Sequence, residues 1–374
     1  MNVCIVGGGH IGTTLTCYIK HQNPSLRVSL FTRRPERFAR TLQCNDWEGG
    51  FSFETEPDCI SADPSAAAAG ADIVFVALPS FAVEKAFADI APFVARDAMI
   101  GVLPGGGGCE FFFGRYFTPE QSLFGFQRVP FTAKLEHYGQ ETNLKSWKPF
   151  SVVGTQKADR LARACALVEA CGLRTRQAGN YLSVALTPTN PILHTSRIYD
   201  LFGGYDAGHV FAEQCKFYVG WSDATSEGML AMDGELHTLL DQITEFDTSA
   251  IRPLTEHYES PDVPSMTRKI NSIATFQSVY APMRPAEDGA GFVADLQNRM
   301  FTEDFPWGLA IIRAYCELFG TKAPTMDRVL GWYAQYLGLS WYEDGRFCGR
   351  DLQSTGVPQR YGIRTREQLL SFYR

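Results

Sequence analysis

Apolar residues gather in short continuous runs over the first half of the chain and spread to helical spacing over the second. An apolar run at 3–6 ends in Gly7-Gly8-Gly9-His10-Ile11-Gly12, and the pattern that follows predicts a helix over 11–21, stopped by Asn23-Pro24. RVSLFT at 27–32 predicts a second strand. ADIVFVAL at 71–78 has no polar alternation after its aspartate, which is how a strand covered on both faces of a parallel sheet reads. Pro79-Ser80 ends it, and a helix is expected over 82–93. Further strands are expected at 99–103, which runs into Pro104 and four glycines, and at 150–153 and 173–177, with a helix over 157–170 between the last two. Strands alternating with helices imply βαβ units and a doubly wound sheet, whose ligands lie at the carboxyl ends of the strands. Three loops fall there: 7–12, 78–81 and 104–108.

Beyond about residue 180 the strand pattern fades. Helices are expected over 222–246, 302–319, 325–337 and 365–373, with Thr325 as an N-cap and Thr365 with Gln368 as a capping box. Gly320 and Gly338 stand where C-terminal glycines belong. A chain of 374 residues is long enough for two domains. The expectation is an α/β fold: a Rossmann doubly wound parallel sheet over 1–178, then a mainly α-helical domain over 179–374.

Composition narrows the partners. Lys+Arg 34 against Asp+Glu 41 gives a net charge of -7, which argues against nucleic acid or an anionic membrane as the main partner. No apolar run approaches the roughly 18 residues that span a bilayer. The opening MNVCIVGGGH goes straight into a strand and carries no basic or long apolar leader, so a cytoplasmic location is expected. The ten cysteines lack CxxC pairing and read as small hydrophobes in a reducing compartment. His209, His237 and His257 are dispersed, and no metal site is expected.

The glycine fingerprint acquires its meaning from context: it follows a strand and opens a helix. Gly7 permits the tight turn, Gly9 lets the backbone approach a pyrophosphate, and Gly12 allows close helix–strand packing. The helix start at His10 and Ile11 offers unpaired N–H groups to the diphosphate. Leu78, Pro79 and Gly105, at the ends of later strands, would line the same nucleotide. The alternative is a glycine turn that binds nothing. About 20 residues past the last glycine, an acidic residue would accept a ribose 2′-hydroxyl. This chain has Thr32-Arg33-Arg34, a hydroxyl and two guanidiniums suited to a 2′-phosphate. NADP(H) is therefore favoured over NAD(H), although a solvated basic loop or an arginine stacked on adenine would read the same way.

Hydride transfer to a C=O or C=N bond needs an acid/base and a cation for a substrate carboxylate. In Thr187–His194, Asn190 suits an N-cap and Pro191 a first helical position, which puts His194 in a first turn. An imidazole there is an acid/base candidate, and equally a packing or capping residue. In RMFTEDFPWG, Asp304 or Thr302 would cap the helix that Pro306 opens, and Arg299 reads either as a substrate cation or as a surface charge.

The order GGGHIG, ADIVFVALPS, PGGGGCEF, FQRVPFTAK, NPILH and NRMFTEDFPWG resembles the octopine/nopaline (opine) dehydrogenases over essentially the whole chain. The resemblance implies an NAD(P)-dependent oxidoreductase that reductively condenses an amino acid with a 2-oxo acid. It implies His194 as the catalytic histidine, Asp304 as its carboxylate, Arg299 as the ligand of the oxo-acid carboxylate and Asn190 as a substrate-lining residue. Met300 departs from the aromatic residue often found after that arginine, which bears on the shape of the oxo-acid pocket. Arg128 and Lys134 are either contacts to substrate carboxylate or cofactor, or ordinary surface cations.

Two rivals remain open. A ketopantoate reductase-type 2-oxo acid or 3-hydroxy acid reductase shares the two-domain plan but uses a lysine early in the helical domain, and no lysine lies between Asn180 and Lys216. A non-catalytic NADP(H) sensor would need only the fingerprint. The aromatics Phe301, Trp307, Trp332, Tyr333, Tyr336 and Trp341 suit either a homodimer surface or, more readily, a core.

Overall fold

The computed structural model describes every residue except Thr189 and Asp344, so the expected segment Thr187–His194 is described without Thr189. The chain forms two units: Met1–Ala185 with Tyr373–Arg374, and Leu186–Phe372.

In the first unit, β1 (Asn2–Val6), α1 (His10–Gln22) and β2 (Arg27–Phe31) follow the expected order. β3 (Leu42–Asp46), β4 (Ser52–Thr55), β5 (Cys59–Ser61) and α2 (Pro64–Ala67) come next, then β6 (Ile73–Val76), α3 (Ser80–Ile90), β7 (Met99–Val102) and α4 (Glu110–Phe113). β8 (Ser122–Phe126), β9 (Phe131–His137), β10 (Glu141–Trp147), β11 (Ser151–Thr155), α5 (Leu161–Ala170), β12 (Thr175–Gln177) and α6 (Leu182–Ala185) complete it. The main sheet has eight strands in the order β12-β11-β8-β7-β6-β1-β2-β5. All pairings are parallel except β8 with β11. Every residue of β6, β7 and β8 is buried, as covered central strands must be.

A second sheet, β4-β3-β10-β9, was not expected. Its strands, such as FTAKLEH and ETNLKSW, mix charge into the alternation and bury few apolar side chains, so they lack the continuous signal of the main sheet. The sheet is tied to α1, because the hydroxyls of Thr14 and Thr142 are hydrogen-bonded to each other. The units divide after Ala185 rather than after 178. A Cβ on Gly105, Gly125 or Gly154 would collide with Val184, so α6 is seated directly on the first unit's strands.

Glu110 starts α4 just past the glycine loop and is 1% exposed. Tyr373 Oη donates to its Oε1 at 2.9 Å, while Oε2 has no hydrogen-bond partner. Burial raises this carboxyl from 4.5 to about 7. Because the raised value belongs to the folded state, the neutral acid is what the fold prefers, and stability falls as pH climbs from about 4.5 through 7. Glu110→Gln is expected to raise Tm at pH 8, by at most about 3 kcal/mol of stability, and to converge on the parent at pH 5. Thermal unfolding at the two pH values measures this.

The second unit contains α7 (Asn190–Phe202), α8 (Asp223–Leu240), α9 (Leu254–His257), α10 (Val263–Ser272), β13 (Met283–Pro285), β14 (Phe292–Ala294) and α11 (Arg299–Thr302). A π-helical turn (Phe305–Leu309), α12 (Ala310–Phe319), α13 (Pro324–Leu337), β15 (Tyr342–Glu343), β16 (Arg346–Phe347) and α14 (Arg366–Tyr373) follow. Gly320 and Gly338 take left-handed φ values of 69° and 66° at the ends of α12 and α13, as C-terminal glycines do. Thr365 and Gln368 bond reciprocally as a capping box. Thr325, by contrast, is not a cap. It lies inside α13, whose first N–H groups at Thr325 and Met326 donate to the Glu235 carboxylate at 2.6 and 3.0 Å. Asn190 is likewise the first residue of α7 rather than its cap. Of the aromatic cluster, Phe301, Tyr333 and Trp341 are core residues, with Tyr333 stacked on Phe305 at 4.1 Å, while Trp307, Trp332 and Tyr336 are half-buried.

No helix among the described residues is long and apolar enough to cross a membrane. Seven of the ten cysteines are buried, and all ten are free thiols.

Candidate active site

The first unit carries the nucleotide-binding elements. Gly7 has φ +114°, a conformation that side chains resist, and its N–H donates to Phe31 O at 2.9 Å, tying the ends of β1 and β2 together. A Cβ on Gly12 would overlap the Gly7 carbonyl, so α1 starts against its own strand only because both positions are glycine. Gly9 differs. It is exposed, and nothing lies within 4 Å of a Cβ built there. No side chain caps α1, whose first turn holds His10 and Ile11, and a helix start of this kind favours an anion. His10 Nδ1 accepts a 2.9 Å bond from Leu135 N–H of β9, which fixes the ring beside the loop.

The other expected nucleotide residues surround that loop. Thr32 is buried with its hydroxyl 2.7 Å from a Cβ built on Gly8. Arg33 and Arg34 are exposed and make no ion pair among the described residues. Leu78 approaches Gly7, and Pro79 leads into α3. Gly105 N–H donates to Phe126 O, and the glycine is pressed against Tyr181 and Val184. An open, uncapped glycine loop with free guanidiniums close by in sequence fits a dinucleotide.

The second unit holds a buried polar chain. His194, on the first turns of α7, is 8% exposed. Its Nδ1 lies 2.7 Å from Asp304 Oδ2 and its Nε2 2.8 Å from the Tyr218 hydroxyl. The approach depends on a glycine: a Cβ on Gly308 would come within 2.7 Å of the Pro191 ring, so the π-helical turn can lie against the start of α7. Asp304 stands before that turn without capping it, and Thr302 donates instead to Asn298 O. The capping alternative for both is corrected, because the Asp304 carboxylate is engaged by His194. Burial pushes the Tyr218 phenol well above its ordinary value, with Tyr258 and Asp304 adding to the shift.

Arg299 is placed differently. Its Nε donates to Glu303 Oε2 at 2.7 Å and Nη2 bonds the same oxygen, and the side chain is 65% exposed. No contact joins it to His194 among the described residues. Asn190 is exposed one turn before His194 on the same face of α7. Arg128, half-buried, and Lys134, exposed on β9, belong to the first unit. Beside Arg128 is Lys148, which was not singled out from sequence. Burial and then the Arg128 charge lower its amine to about 8. Tyr218 was also missed. It sits in a loop between α7 and α8, where no spacing rule marks one tyrosine among 15. No cluster of metal-ligating side chains occurs among the described residues.

Comparison with known proteins bears on both units. Residues 177–337 match the NAD/NADP octopine/nopaline dehydrogenase alpha-helical domain, and residues 3–140 match Ketopantoate reductase PanE/ApbA. The chain is 25% identical to tauropine dehydrogenase of Arabella iricolor, covering 98% of this chain and 99% of that protein. It is 26% identical to octopine dehydrogenase of Pecten maximus, covering 99% of each. A solved octopine dehydrogenase with NADH and L-arginine superposes with a TM-score of 0.84 at 24% identity, covering 99% of this chain and 98% of that one, a likeness of fold.

The full-length similarity to tauropine and octopine dehydrogenases marks a nicotinamide-dependent oxidoreductase acting on a CH–NH group. Residues 177–337 are similar to the octopine/nopaline dehydrogenase alpha-helical domain, and the whole chain is similar to tauropine and octopine dehydrogenases.

Proposed function

We propose that the protein reductively joins the amino group of an amino acid to the carbonyl carbon of a 2-oxo acid, giving an N-(carboxyalkyl) amino acid. The observation that carries this reading is the imidazole of His194 held between a carboxylate and a phenol. The glycine loop of the first unit would hold the cofactor's diphosphate. When bound, the nicotinamide supplies hydride for the carbon–nitrogen double bond.

The remaining work falls to side chains. Asp304 fixes the tautomer that keeps hydrogen on Nδ1 and offsets positive charge when His194 takes a proton. His194 removes the proton lost as the amine adds to the carbonyl, and returns one as water leaves the carbinolamine. Arg299 holds the oxo-acid carboxylate through a planar fork, exchanging Glu303 for substrate. Asn190 and Arg128 are assigned to substrate contacts. A lysine-dependent reductase mechanism is less supported, because α7 presents His194 and no lysine.

NADPH is the favoured reductant, on the strength of Thr32, Arg33 and Arg34. Replacing both arginines by serine is expected to raise KM for NADPH about 10- to 100-fold, with KM for NADH within about twofold of the parent. Steady-state titration of each cofactor reads the difference. Equal effects on both would assign the arginines to general nucleotide contact. The condensation itself is tested with a matrix of amines and 2-oxo acids, each product identified by mass. Cofactor oxidation that yields no condensed product with any pair would refute it.

A further inference from the structure

Asp304 occupies one ring nitrogen of His194 and Tyr218 the other, so no nitrogen of this imidazole faces a substrate directly. Resting on the acid–base reading above, we propose that Tyr218 relays the proton that His194 takes and gives, through its own hydroxyl. As a substrate N–H or O–H bond breaks, that hydrogen bonds to Tyr218 Oη while the phenolic hydrogen passes to Nε2. The phenol ends neutral, as it began, and the imidazolium charge rests against Asp304. The reverse passage delivers a proton to the departing hydroxyl.

The surroundings fit a relay better than a passive contact. Tyr218 is 4% exposed, and its ring stacks on Phe276 at 3.9 Å and on Trp221 at 6.2 Å, which fixes the hydroxyl over Nε2. Its burial holds the phenol far from ionisation, so the hydroxyl parts with its hydrogen only as it gains another. His194 is the one hydrogen-bond partner of that hydroxyl among the described residues. The titratable groups acting on the Tyr218 phenol are Asp304 ahead of the π-helical turn and Tyr258 beyond α9, and Arg197 on α7 lies over the neighbouring Trp221 ring. Arg197 Nε is already spent on the Phe217 carbonyl at 2.7 Å. None of the three occupies Nε2.

Tyr218→Phe removes the hydroxyl and keeps the ring stack, and unchanged Tm checks that the fold is kept. The expected result is a loss of kcat of about 10- to 100-fold. Losing the hydrogen bond to Nε2 should also move the imidazole 15N resonance of that nitrogen, read at fixed pH without cofactor. His194→Ala identifies the resonance and serves as the control. A Tyr218→Phe enzyme within threefold of parental kcat, beside an inactive His194→Ala, overturns the relay alone. Lost activity with an unmoved Nε2 15N resonance gives Tyr218 a packing role and also overturns it. An active His194→Ala enzyme removes the acid–base reading, and the relay with it.

Discussion

Replacing His194 by alanine is expected to lower kcat about 10²- to 10⁴-fold while leaving nucleotide affinity unchanged, because the imidazole and the glycine loop belong to separate units of the chain. The substitution also strands two partners: the Asp304 carboxylate, with a side chain 14% exposed, and the buried Tyr218 hydroxyl. Leaving both without the imidazole should cost about 1–3 kcal/mol of stability. His194→Asn, which restores a donor toward Asp304, should recover part of that stability and little of the rate. Cofactor fluorescence titration beside steady-state kinetics separates the two effects. A large loss of nucleotide affinity would place His194 in binding rather than chemistry.

Arg299→Ala should raise KM for the 2-oxo acid on the order of 10²-fold and leave KM for the amine within about threefold, because a charge-assisted fork to one substrate's carboxylate is lost. Arg299→Lys keeps the charge and loses the planar pair of donors, so an intermediate effect is expected. The side chain is suited to exchange. It is mostly exposed and is held by Glu303, its neighbour one helical turn on. Substrate carboxylate can therefore take the place of a carboxylate already bonded to the guanidinium, which is itself mostly exposed. Equal rises in both KM values would indicate a general structural role.

The Rossmann half was legible in the chain wherever burial on both faces left continuous apolar runs, as at β1, β6 and β7, and wherever glycine was required by a neighbouring atom, as at Gly7 and Gly12. The small second sheet was not, because its strands mix charged and polar side chains into the alternation and bury few apolar ones. In the helical unit, the meeting of His194 with Asp304 spans 110 residues and no local pattern encodes it. It depends on Gly308 admitting Pro191, a tertiary fit, and the resemblance of the NPILH and TEDFPWG segments supplied the pairing instead. Thr325 was misread as a cap because Glu235, on another helix, does that work through space. Tyr218 lay in an irregular loop with no periodicity to mark its direction.

The most direct test follows a label. Turnover with 4-deuterated NADPH or NADH, a productive amine and its 2-oxo acid should place one deuterium on the α-carbon that carries the new C–N bond, with no deuterated product when the amine is withheld. Deuterium appearing instead in a 2-hydroxy acid, formed at the same rate with or without amine, would contradict reductive condensation and assign the protein to carbonyl reduction.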